Sequence, residues 1–203
     1  MDAVRTSGSP LLTIDDPTLT VVAPDRPGLF AQVTGILALH GLDVRTANVA
    51  GEEGVAVEMF TVEPSRGRWP QASRLTDELV AAVDGTLSLT DRLAERTRAY
   101  RREKRPVAPQ HVATEISVDN AASASATVIE VRAEDVVGQL HRITHALFDC
   151  GLDVISAKVN TFGAAVVDAF YVRGPGGEKV TDPHLLDAVD RAVRDGVAEQ
   201  AKL

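Results

Sequence analysis

DRPGLFAQVTGILALHGLDVRTANV, residues 25–49, recurs in altered form as DVVGQLHRITHALFDCGLDVISAKV, residues 135–159, and this recurrence decides the fold. Asp25 aligns with Asp135, Gly28 with Gly138, Leu37 with Leu147, Gly41 with Gly151, Asp43 with Asp153, Val49 with Val159 and Phe60 with Phe170, each pair 110 positions apart. No insertion is needed between Asp25 and Val62. An internal repeat of this kind predicts two copies of one folding unit.

Working outward, each copy reads as strand, glycine turn, helix, strand, strand, helix. Leu19 to Ala23 and Thr127 to Ala133 are apolar and β-branched, as strands are. The period then changes to that of a helix, with Leu29, Val33, Ile36, Leu37 and His40 in one copy and Leu140, Ile143, Leu147 and Cys150 in the other. Gly41 and Gly151 stand where a C-terminal cap needs the left-handed backbone. Asp43 to Ala50 with Val55 to Val62, and Asp153 to Asn160 with Ala164 to Arg173, read as hairpins turning at Gly51 to Gly54 and Thr161 to Gly163. Helices follow at Gln71 to Val83 and Pro183 to Val197, the latter opened by Asp182 as cap and Pro183 in the first turn.

A βαββα run closes as an antiparallel sheet with two helices on one face, and it leaves one sheet edge short of a strand. The apolar stretches Leu11 to Ile14 and Val112 to Val118, just ahead of each first strand, are placed to fill that edge. The expected fold is therefore α+β, two ferredoxin-like units in a permuted ββαββα order, at residues 10–88 and 111–203. Between them, residues 89–110 form a linker helix with apolar Leu89, Leu93, Ala94 and Tyr100 and a basic remainder (Arg92, Arg96, Arg98, Arg101, Arg102, Lys104, Arg105), stopped by Pro106 and Pro109. Such a helix is read as solvated, with docking to an acidic partner as the alternative. A sheet of this size leaves a face or edge that a soluble protein covers, so the two copies are expected to pack together.

Composition narrows the function. The chain is 44% hydrophobic and 25% charged with a formal charge of −8, a globular composition that disfavours nucleic-acid backbones. No apolar run reaches the length of a membrane span and the start lacks a signal-peptide core, so a cytoplasmic location is expected. The single cysteine, Cys150, reads as a buried small hydrophobe.

The stretch that carries chemistry is the turn Asp25-Arg26-Pro27-Gly28-Leu29. Pro27 suits a helix start, Gly28 clears space for a close approach, and first-turn N–H groups favour a carboxylate. Asp25 can accept from an ammonium group, so one turn addresses both ends of an amino acid. Asp43, opening the next strand, is expected to return near the same end of the sheet as a second acceptor. A purely structural role for the DRPG turn remains the alternative.

These residues resemble the signature of ACT domains. The pair of signatures, with the RLAERTRAYRR helix and the ATVIEVRAED strand between them, is similar to the tandem regulatory region of bifunctional PII uridylyltransferase/uridylyl-removing enzymes. The resemblance implies glutamine sensing that controls uridylylation and deuridylylation of the PII signal protein by upstream nucleotidyltransferase and hydrolase domains. It implies ligand contacts from Asp25, Gly28, Leu29 and Asp43 in the first copy and from Asp135, Gly138, Gln139 and Asp153 in the second, no cofactor in this chain, and possible homodimers. The second copy departs from the pattern, reading DVVGQ for DRPGL. A ligand-free interaction or oligomerisation module is the competing function.

No catalytic set is legible. The sequence holds no GxSxG elbow, and the nucleotidyl-transfer and His-Asp hydrolase motifs of the resembled enzymes are absent from it. His141, His145 and Asp149 are spaced by four, as metal ligands on a helix can be, yet the first copy has Ala31, Gly35 and Leu39 there, so no metal site is expected. Glu58 and Asp168 occupy matched positions within apolar strands, where a buried charge would need a partner.

Overall fold

The computed structural model describes residues 4, 7–65, 67–103, 112–162 and 165–198. Its elements are β1 (Leu11–Asp15), β2 (Thr18–Pro24), α1 (Leu29–Leu39), β3 (Leu42–Glu52), β4 (Val55–Pro64), α2 (Ala72–Val83), α3 (Leu89–Glu103), β5 (Glu115–Asp119), β6 (Thr127–Glu134), α4 (Gln139–Asp149), β7 (Asp153–Phe162), β8 (Ala165–Arg173) and α5 (Pro183–Ala198). Among these described elements the fold is ferredoxin-like α+β, an antiparallel sheet with five helices.

All eight strands form one sheet in the order β1-β2-β4-β3-β7-β8-β6-β5. Leu11–Asp15 pairs antiparallel with β2, and Glu115–Asp119 pairs antiparallel with β6. The halves join edge to edge where β3 meets β7, with Thr46 opposite Lys158, Ala47 opposite Ala157 and Asn48 opposite Ser156. Because Ala47 and Ala157 are equivalent positions, the join has an approximate two-fold axis through that pair. Ser156 Oγ also donates to the Ala47 carbonyl across the seam (3.1 Å).

The alternating strand pattern buries Leu19, Val21, Ala23, Phe60 and Val62 from the first half and Ile129, Val131, Ala133, Phe170 and Val172 from the second in one continuous core. Their neighbours in sequence face the opposite, partly open side of the sheet. Near the axis α1 packs against α4, and Thr34 Oγ1 lies 3.0 Å from Thr144 Oγ1. Gly41 and Gly151 adopt φ of 67° and 74° at the two helix ends, the conformation read for them from sequence. Asp182 Oδ1 accepts from the His184 N–H (2.9 Å), which caps α5 as expected.

Several local readings change. The first hairpin turns on Glu53-Gly54 alone, with φ of 51° and 77°, so β3 runs on through Glu52 and the turn is tighter than Gly51 to Gly54. The extra strand of the second half begins at Glu115, not Val112. Helix α1 begins after Gly28, which is left-handed with φ of 81°, so Pro27 sits in the turn and not in the helix. Cys150 is half-buried, and burial together with the neighbouring Asp149 pushes its thiol pKa up. Helix α3 does more than bridge solvent: Leu89 and Leu93 are buried, the first against Gly35 and the second against Gly138. The Thr161 to Gly163 turn and the proline stop after α3 extend outside the described residues.

Candidate functional site

The sheet register divides the predicted site residues in an unexpected way. Strands β2 and β3 are both antiparallel to β4, and so run parallel to one another. Helix α1 is thus a crossover that carries the chain back along the sheet. Pro24, just before Asp25, is opposite Val55 at the start of β4, whereas Asp43 is opposite Glu63 near its end. Eight residues of strand separate those levels, roughly 26 Å. The expectation that Asp43 joins Asp25 at one end of the sheet is therefore wrong, and by the same register Asp153 does not join Asp135.

The seam between β3 and β7 supplies the partners instead. It brings the start of β3 to the end where β6 stops, so Asp43 of the first half meets the Asp135-Val136-Val137-Gly138-Gln139 turn of the second. Asp43 and Asp135 line one cavity of about 640 Å³ together with Val136, Val137, Gly138 and Gln139. At the opposite end Asp153 faces the turn that holds Asp25, and burial followed by the Asp25 charge raises its pKa. Asp43 is raised in the same way, first by burial and then by Asp135, with Arg45 and Arg96 opposing.

The cavity contains groups that sequence reasoning did not assign to it. Arg45 and Ser65 come from the first half, Arg96 from α3, and Asp168 from β8. Asp168 is 1% exposed, with Oδ1 unpartnered. Burial pushes its pKa up to about 7, reinforced by Asp135 and opposed by a backbone N–H donated from Asn160. Gln139 is 4% exposed and both polar atoms of its amide lack a partner among the described residues. Buried polar groups are ordinarily paired, because leaving one unpaired costs about 1–3 kcal/mol. Two residues with such groups line this one cavity. The matched carboxylates in strands were a visible signal for Asp168; Arg96 carried none, because only packing of α3 brings it here.

At the other end an aromatic ring covers the glycine turn. Gly28 lies under the ring of Phe148, whose atoms would be 3.2–3.4 Å from any Cβ added there. Glu58, the equivalent of Asp168, is 2% exposed, with Oε2 unpartnered. Burial, then Asp153 and Asp25, push its pKa up to about 8.

First-turn amides are partly committed. The Leu29 N–H donates to the Arg26 carbonyl (3.3 Å) and the Gln139 N–H to that of Val136 (3.0 Å), so neither turn offers all its donors to a ligand. The histidine pair is also accounted for. His141 Nδ1 donates to the Ala31 carbonyl (2.7 Å), and burial lowers its pKa to about 4. His145 contacts Asp149 at 3.0 Å. A second cavity of about 390 Å³ lies beside them, between α3, α4 and α5, and among the described residues no cluster of three or more potential metal ligands occurs. No described helix is long and apolar enough to cross a membrane.

The eight described strands form one antiparallel sheet with a polar cavity at the seam of two equivalent halves. Residues 18–93 match the family described as the ACT domain, from β2 into the first turn of α3. The chain is 46% identical over 168 residues to a bifunctional uridylyltransferase/uridylyl-removing enzyme of Streptomyces coelicolor, covering 78% of this chain and 20% of that protein. It is 35% identical over 173 residues to the enzyme of that name from Gluconobacter oxydans (83% and 18% covered) and 32% over 190 residues to that of Mycobacterium tuberculosis (85% and 23%). The chain spans about a fifth of the length of these curated relatives. It carries an ACT domain and belongs, over most of its length, with one segment of the bifunctional uridylyltransferase/uridylyl-removing enzymes.

Proposed function

We propose that the chain is a tandem ACT module, two permuted ββαββα units at residues 10–88 and 111–203 joined by the 89–110 linker, that senses a free amino acid, glutamine by resemblance. In this reading it controls the uridylylation and deuridylylation of the PII protein by catalytic domains that precede it. The observation that carries the reading is the cavity at the β3–β7 seam, whose lining brings together Gln139, with its buried unpartnered amide, the buried Asp168 carboxyl and the Asp43–Asp135 pair.

The chemistry fits a zwitterion with a polar side chain. Asp43 and Asp135 attract an ammonium group, and a cation between them would relieve the mutual repulsion that helps to raise the pKa of Asp43. Arg45 and Arg96 line the same cavity and would take the carboxylate, together with the positive end of α4. Gln139 presents one donor group and one acceptor to whatever lies between. Leu93 covers Gly138 and Arg96 lies on the same helix, so a bound ligand would touch α3, the linker between the halves. That contact offers a route by which occupancy would reach other domains of a longer protein.

The competing reading is an interaction module that pairs copies of the chain, as homodimers or with other domains, and needs no ligand. Thermal unfolding in the presence of each of the twenty amino acids separates the two, because a ligand that binds only the folded state raises the midpoint by mass action. A rise with glutamine that follows its concentration is expected. No shift with any amino acid would favour the interaction module.

A further inference from the structure

We infer that the chain binds one amino acid and not two, and that Phe148 is the residue that closes the second, symmetry-equivalent site. The inference rests on the amino-acid reading above and concerns how many of the two seam positions remain open. Two-fold related halves would ordinarily give two equal sites. Three substitutions between equivalent positions break the equality here.

The first is a matter of volume. Ala38 on α1 lines the cavity at the Gly138 turn, and its equivalent on α4 is Phe148. The Phe148 ring lies against Gly28 at 3.2–3.4 Å from an added Cβ, whereas Gly138 is approached by Leu93 of α3 and not by the residue equivalent to Phe148. The Phe148 ring is braced edge-on by His145, with ring centroids 6.1 Å apart, and is still 36% exposed, so it plugs the site from the surface. Around Gly138 the three nearest atoms to an added Cβ are the Leu93 methyls at 3.5 Å, on the α3 side, and Arg142 Nη2 at 3.7 Å, none of them from Ala38.

The other two are matters of chemistry. Gln139, with its unpartnered amide, has Leu29 as its equivalent, and Leu29 is buried in the apolar core. Arg45 has Ile155. The Gly28 end thus keeps the acidic residues Asp25, Asp153 and Glu58, has Arg26 and Arg173 where the other end has Val136 and Glu63, and lacks the amide and the Arg45 that the Gly138 end provides.

The test is calorimetric titration of the full chain with L-glutamine. Wild type is expected to bind one equivalent. Ala38→Phe, which copies the plug onto the open side, should abolish binding while thermal unfolding stays cooperative. Phe148→Ala combined with Leu29→Gln should raise the stoichiometry toward two. Two equivalents in wild type, or binding that survives Ala38→Phe in a folded protein, would overturn the inference and leave the amino-acid reading intact. A stoichiometry that stays at one in the double variant would overturn the role given to Phe148. Absence of binding by wild type would sink the amino-acid reading itself, and this inference with it.

Discussion

Thr34 and Thr144 stand at equivalent positions 110 residues apart, and their hydroxyl oxygens meet 3.0 Å from each other where α1 crosses α4. Each is also within donating reach of a carbonyl of its own helix, Thr34 of Ala31 at 2.9 Å and Thr144 of Leu140 at 2.9 Å, so the hydroxyl that donates across the axis gives up that bond. With one hydroxyl proton apiece, only one of the two can donate across the axis. A buried hydrogen bond contributes about 1 kcal/mol net. Thr144→Val is expected to destabilise the chain by about that much, and Thr34→Val to add little once Thr144 is gone. Urea unfolding of the two single variants and the double variant measures the coupling; full additivity would show that the hydroxyl pair contributes nothing across the axis.

Glu58 makes stability fall with rising pH. Its folded pKa is about 8 against an ordinary 4.5, so between those values the folded state keeps a proton that the unfolded state has released. The stabilisation is fully present below pH 4.5 and is lost as pH rises through about 8. Asp168 acts in the same direction, up to about 7. Glu58→Gln removes the larger slope, so its unfolding free energy should exceed that of wild type by progressively more from pH 5 to pH 8, in total on the order of a few kcal/mol. Parallel pH profiles for the two proteins would mean that Glu58 ionises normally.

The Gln139 amide should trade stability for binding. Gln139→Leu installs the residue that the first half has at the same place and relieves an unpaired buried amide, which should stabilise the unliganded chain by about 1–3 kcal/mol. The same change should remove the thermal shift produced by glutamine. A less stable Gln139→Leu variant would indicate that the amide has a partner in solution.

The crossed arrangement gives the four aspartates unequal roles. Asp43→Ala and Asp135→Ala should each weaken glutamine binding by about ten- to a hundredfold, the value of a charge-assisted hydrogen bond of roughly 1.5–3 kcal/mol. Asp25→Ala and Asp153→Ala should leave it unchanged. Equal losses at all four, read by calorimetry, would mean that both ends of the seam bind. A Gly28→Val variant is not a clean test, since φ of 81° strains any branched residue there and the Phe148 ring occupies the space.

The sequence by itself determined the elements and their repetition. Constant spacing of 110 positions from Asp25 to Val62, glycines at both helix ends and an Asp-Pro cap are local signals, and local backbone preference is enough to place helices, hairpins and turns. It also flagged Glu58 and Asp168, because a carboxylate in an apolar strand is anomalous wherever the strand goes. Which residues share a site was decided only in three dimensions. Asp25 and Asp43 are 18 positions apart in sequence but lie at opposite ends of the sheet, because the crossover helix makes β2 and β3 parallel. Asp43 and Asp135 come together because the edges of β3 and β7 pair, a long-range contact that no spacing within one repeat encodes. The fate of the two turns followed from the same join. DVVGQ, the more divergent sequence, lines the cavity, while Gly28 of the DRPGL turn lies against a phenylalanine from the other half.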